Sequence, residues 1–149
     1  MTSTRQRMCV VIAALWWGSL TMLGFLVVPL LFVHLGSPAA AGAMAAKLFT
    51  AQAWLSVACT MLLLTAFNRK DGPVHSAWAA AAMKLVVAGL LLALLVEFGV
   101  SARIVSARAE GGNLRLWHGL GSAMYLTQWL CAGAALWRLT RTVPATGQD

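Results

Sequence analysis

The chain has 149 residues, 60% of them hydrophobic and 10% charged, with a mean hydropathy of +0.79; a soluble domain of this size carries about a quarter charged residues. Eleven Lys and Arg against four acids give a net charge of +7, yet most of these bases punctuate apolar runs. That pattern follows membrane topology and anionic lipid, and it argues against a nucleic-acid partner, which requires a basic polar surface.

Between Arg7 and Lys47 there is no formal charge. Residues 8–35 therefore predict a first helix of about 40 Å, enough to cross a bilayer with tilt. The run is longer than the apolar core of a signal peptide, so an uncleaved first span is expected. Gly36 is read as its C-cap, and Ser37 with Pro38 as the N-cap and first-turn proline of a second helix over residues 38–67. Within helix 1, Pro29 is expected to kink the chain below His34. The charged turn "NRKDGP" follows the second helix, with Gly72 and Pro73 as breakers. A third helix over residues 76–100 and a fourth over 116–138 are joined by the polar stretch "SARIVSARAEGGNLR". The expected fold is an all-α integral membrane protein, four transmembrane helices in an up-and-down bundle. One domain covers residues 1–142, followed by a flexible tail over 143–149.

Bases near the span ends orient the bundle. Arg5, Arg7, Arg69, Lys70, Arg138 and Arg141 fall on one side, and Lys47, Arg103, Arg108 and Arg115 on the other. This bias favours both termini in the cytoplasm. The cysteines Cys9, Cys59 and Cys131 lie singly in apolar segments and read as buried thiols rather than a disulfide or metal framework.

Two charges stand inside the predicted spans, Lys84 and Glu97, both on helix 3. Thirteen residues, or about 20 Å of rise, prevent them from pairing. Lys84 can snorkel to the cytoplasmic surface, or act as counter-ion to a carboxylate or lipid phosphate. Glu97 is placed about a turn from the outer surface, level with His34 of helix 1 and His118 of helix 4. Those three groups are the candidate pocket, either proton-coupled or metal-ligating, since a carboxylate can fix an imidazole tautomer. Equally, each of them can cap a helix end or meet headgroup water independently. His118, Ser122, Tyr125 and Trp129 recur at helical spacing and form a stripe expected to face inward, with Gly119 and Gly121 permitting close helix approach. Met22, Met61, Met83 and Met124 put a thioether on each helix, but none has the chelating spacing that a copper path needs. No phosphate loop, paired acids or nucleophile elbow is present.

The stretches "GFLVVPLLFVHL", "KLFTAQAW" and "RLWHGLGSAMYL" resemble the transmembrane protein 205-like family, the small four-helix bacterial membrane proteins of domain-of-unknown-function 4149 type. The resemblance runs over residues 10–138. Lys47, Leu48 and Phe49 match the family's second-helix element, and His118 with Gly119 its last. Gly121 stands in place of a serine and Tyr125 in place of a frequent asparagine. The resemblance implies a four-helix integral membrane protein whose animal relatives are linked to metal-drug tolerance and trafficking; it implies no reaction. A weaker likeness, to HemJ-type haem-linked oxidases and copper-resistance protein D, brings haem or copper in as alternatives; the residues themselves suggest no cofactor.

Together these features lead to a non-enzymatic membrane protein that binds or helps move a small solute or metal ion through an outward-facing pocket. His118, His34 and Glu97 would coordinate or couple protons there, and Ser122 and Tyr125 would supply hydrogen bonds. The alternatives are an assembly factor docking another membrane protein, or a haem-binding oxidase. The bilayer is a partner in each case, and a homo-oligomer is compatible with all of them.

Overall fold

A computed structural model describes residues 2–67 and 77–141; the expected turn at 68–73 and the tail at 143–149 lie outside them. The described chain is helical. Helix α1 comprises Thr2–Met22, a π turn at Leu23–Val27, and Val28–His34. Helix α2 spans Pro38–Phe67. Helix α3 comprises Ala77–Leu95, a second π turn at Val96–Ser101, and Ala102–Glu110. Helix α4 spans Leu114–Thr140.

The boundaries have local causes. Pro29 has no N–H, and its ring crowds the carbonyl four residues back, at Phe25. The chain responds by widening one turn, so that the Val28 N–H reaches Leu23 O, five residues away. The expected proline kink is thus a π turn. At the other end α1 stops at Leu35, whose backbone turns extended at φ −84 and ψ 128. Gly36 does not form the expected left-handed cap, since the only positive φ among the described residues is at Gly111. Ser37 does cap α2 as expected: its Oγ accepts from Ala40 N at 3.1 Å.

The stretch read as a linker after residue 100 is helical as far as Glu110. Its alanines favour helix, and one face has something to pack on: Ala107 is buried and Ile104 lies against Gly121. Gly111, at φ 75, ends α3, and Gly112 N donates to Ala107 O at 2.9 Å in a Schellman arrangement. Asn113 then caps α4, its Oδ1 accepting from Leu116 N at 3.0 Å. Only residues 111–113 connect the two helices.

α1 packs beside α2 and α4, and α3 packs beside the same two, so α1 and α3 stand diagonally opposed. Gln6 donates to Leu139 O at 3.3 Å, fixing α4 antiparallel to α1. The end carrying residues 35–37 and 111–113 is termed the loop end below. The core combines small residues (Ala13, Ala82, Ala132, Ala135) with a few large ones, Trp16, Leu20, Leu63 and Phe67. Larger apolar side chains, among them Val11, Leu15, Leu62, Leu91 and Leu130, are exposed. Small residues inside and large ones outside is the arrangement of helices packed within lipid. Three helices, Thr4–His34, Pro38–Phe67 and Ala80–Arg108, are long and apolar enough to cross a membrane, and α4 packs along two of them.

Candidate functional site

The site starts from a register between the diagonal helices. Trp16 of α1 lies directly on Gly89 of α3, where a Cβ would stand 2.5 Å from Trp16 Cη2. Seven residues further along each helix come Leu23 and Val96, the first residues of the two π turns. Both widened turns therefore occupy one level of the bundle. Other contacts at that level close a ring through all four helices. The Tyr125 ring covers Gly24, and its hydroxyl donates to Leu20 O at 2.8 Å. Phe49 meets Tyr125 edge-on at 5.3 Å. Thr50 Oγ1 donates to Glu97 Oε1 at 2.8 Å, and Val100 lies 3.4 Å from the Cβ position of Gly121. π turns recur at functional positions because they break the regular pattern of the helix face; here one of them carries Glu97.

About a turn deeper lies a second polar group. Gln52 Nε2 donates to Ser19 Oγ at 2.9 Å and to Ser56 Oγ at 3.4 Å, and Gln128 Nε2 donates to the same Ser56 Oγ at 3.1 Å. Thr60 donates to Ser56 O at 2.7 Å. Gln52, Ser56, Thr60 and Gln128 are all buried, so amide and hydroxyl groups bind α1, α2 and α4 together in the interior of the bundle. On the α1–α4 side, Trp129 Nε1 donates to Thr21 Oγ1 at 2.9 Å, and the Trp129 ring meets Trp17 at a tilt at 5.8 Å and Phe25 edge-on at 5.3 Å. The fully buried Trp16 Nε1 has no hydrogen-bond partner among the described residues.

A shallow, open cleft lies on the outer surface between α2 and α3, lined by Ala53, Trp54, Val57, Leu94, Glu97 and Phe98. Its walls are apolar, and the Thr50–Glu97 pair stands at its loop end. Trp54 and Phe98 meet edge-on at 6.5 Å and are 58% and 65% exposed.

These are apolar spans with a defined polar layer, and residues 11–113 match the family model described as a domain of unknown function, DUF4149. The chain belongs to the DUF4149 family. No curated protein and no solved structure matches it. The DUF4149 match takes in both π turns, Thr50, Glu97, Gln52 and the cleft, together with Lys47 and Phe49 of the second-helix element. It ends at Asn113, the cap of α4, so the His118–Gly119 element falls outside it.

The remaining candidates are not drawn to Glu97. His34 stands ten residues beyond Gly24 and His118 seven residues from Tyr125, so both are about 10 Å or more nearer the loop end than Glu97. The expectation of a common depth fails because α3 runs on to Glu110 instead of stopping at 100. His34 and His118 are exposed, and no group of three His, Cys, Asp or Glu that could hold a metal occurs among the described residues. Of the inward stripe, Tyr125 and Trp129 pack on α1 as expected, whereas His118 and Ser122 are exposed. Gly121 does admit a neighbouring helix, while Gly119 faces open space. Lys84 is exposed, as are Met22 and Met61. Sequence reasoning missed Thr50, Gln52, Ser56 and Gln128. An uncharged amide within an apolar helix is the signal that could have found the two glutamines, since it too needs a partner in lipid.

Proposed function

We propose that this DUF4149 protein is a four-span protein of a bacterial inner membrane, with both termini cytoplasmic, and that it binds a small solute at Glu97 in the outward half of the bundle. The loop end then faces outward, in keeping with the six bases against four counted along the sequence. The observation that carries the binding site is Glu97 itself. It is a carboxylate inside an apolar span, set on a π turn and approached by a neutral donor, Thr50. An ionisable side chain at that depth is costly, and function is the default reason for keeping it. His34 and His118 stand at the outward rim, beyond the binding level. The role proposed is binding rather than catalysis: Glu97 is met by one neutral hydroxyl, that of Thr50.

The test is ligand-induced thermal shift of the purified protein in nanodiscs, with zinc, copper, amino acids, amines and quaternary ammonium salts. Wild type is compared with Glu97→Gln, Thr50→Val, His34→Ala and His118→Ala. At least one compound is expected to stabilise wild type and both histidine variants, and to stabilise Glu97→Gln and Thr50→Val less. A panel in which every compound treats wild type and Glu97→Gln alike would sink the reading. Reporter fusions after residue 141 test the topology; a C-terminus found outside the cytoplasm refutes it.

A further inference from the structure

We propose that the solute is an amphiphilic ammonium cation that enters sideways from the lipid, between α2 and α3, and places its charged head against Glu97. This rests on Glu97 being the binding residue, and it adds the ligand's charge, shape and route. Charge comes first. A carboxylate in hydrocarbon is stabilised by a cation, and the neighbouring bases of α3 are engaged elsewhere. The Arg103 guanidinium lies 5.7 Å over the Trp117 ring, and Arg108 covers Gly42. Lys84 is thirteen residues away and exposed. What Glu97 does receive is the neutral Thr50 hydroxyl, at one of its two oxygens.

Size and surface define the rest. The cleft is a shallow depression open to the lipid side, not an enclosed ligand pocket. It can seat only one side of a head, with the rest of the ligand left along the lipid-facing surface. The walls are apolar, and the exposed rings of Trp54 and Phe98 supply faces and edges suited to an alkylated ammonium. A hydrated metal ion fits poorly: one carboxylate and one hydroxyl among apolar walls cannot replace its water shell. A lipid headgroup fits less well too, because Glu97 stands six residues, about 9 Å, below Arg103, the first base beyond it on α3.

The probe is decyltrimethylammonium, titrated calorimetrically into the protein in phosphatidylglycerol nanodiscs, beside its uncharged analogue with carbon in place of nitrogen. Wild type is expected to bind the cation saturably. Glu97→Gln, which keeps an acceptor for Thr50, is expected to weaken it by about tenfold or more, the size of one lost charge contact. Trp54→Ala should weaken it by about threefold or more, and the uncharged analogue should bind wild type no better than Glu97→Gln. Equal loss of cation and neutral analogue in Glu97→Gln would overturn the charge assignment while leaving a Glu97 site standing. Zinc binding that depends on Glu97, without cation binding, would overturn it in favour of a metal. Competition by added phosphatidylethanolamine would overturn it in favour of a lipid headgroup. A co-purifying protein lost in Glu97→Gln, with no cation bound, would give the cleft to a partner's basic helix. Should Glu97→Gln fail to fold by circular dichroism, Thr50→Val and Phe98→Leu carry the same comparison, and unchanged cation affinity in both refutes the proposal.

Discussion

Gly89→Ala probes the register on which the whole polar layer depends. A Cβ at that position would lie 2.5 Å from Trp16 Cη2 and 2.7 Å from Trp16 Cζ2, whereas carbon atoms rest at about 3.5–4.0 Å. About 1 Å must be found by moving α3 or turning the indole, and Trp16 is 0% exposed, so the ring has no free space to enter. Overpacking of this kind costs about 1–3 kcal/mol. Alanine returns up to about 1 kcal/mol of helix propensity, so a net loss of roughly 1–2 kcal/mol is expected. Gly18→Ala is the control, because nothing lies within 4 Å of a Cβ there. It retains the propensity gain without the clash. Reversible unfolding in mixed micelles gives both values, and the difference between the two variants isolates the contact. Adding Trp16→Phe to Gly89→Ala shortens the ring and should recover about 1 kcal/mol of coupling in a double-mutant cycle. If Gly89→Ala is as stable as Gly18→Ala, or if the coupling is zero, Trp16 does not set the depth of α3, and the common level of the two π turns loses its support.

Tyr125→Phe removes the hydroxyl that bonds Leu20 O and is expected to cost about 0.6–1.7 kcal/mol, with faster amide exchange over residues 23–28 by mass spectrometry. Gln128→Leu keeps volume but deletes one of the two amides on Ser56, and a loss of about 1 kcal/mol in the same unfolding assay is expected. Gly111→Ala forces a side chain onto φ 75 and should cost about 1 kcal/mol or more, read as a lower melting temperature. In each case an unchanged midpoint counts against the geometry described.

Much of the fold was legible because lipid imposes a simple rule: long uncharged runs must satisfy their own backbone, and so they are helices. Ser37–Pro38 marked the start of α2 correctly for a reason that is entirely local. The extension of α3 was not legible. "ARIVSARAE" looks like a linker by polarity, but it is helical because Ile104 finds a surface at Gly121 of α4 and Ala107 is buried. The π turn at 96–101 has no proline to announce it. Glu97 stood out in the sequence through the cost of its charge, while Thr50 did not, since the pairing depends on how far α2 and α3 slide past each other. The packed glycines show the same limit. Gly89 and Gly133 lie beneath Trp16 and Trp17, yet in sequence they look no different from Gly18, which faces open space.

The separation of His34 from Glu97 has a physical cause beyond the length of α3. Below its π turn, α1 is tied to the bundle by Trp16 on Gly89, by Ser19 with Gln52 and by Thr21 with Trp129. Above it, none of residues 28–34 is buried, and Leu30, Phe32 and Val33 are exposed. An inserted residue shifts the phase of a helix by about 100°, so the face that meets the core below the turn no longer does so above it. α3 passes through its own π turn and stays packed, because Val100 and Ile104 lie against Gly121 of α4. The two π turns thus leave the end of α1 lying beside α2 alone while α3 stays docked on α4, which places Glu97 beside α2, near the lipid-facing cleft, and leaves His34 on a segment outside the core. A histidine carried in that way cannot be fixed at coordination distance from Glu97 without rebuilding the upper half of α1, and this is why the proposed route to Glu97 is lateral, between α2 and α3, rather than down from the loop end past the histidines.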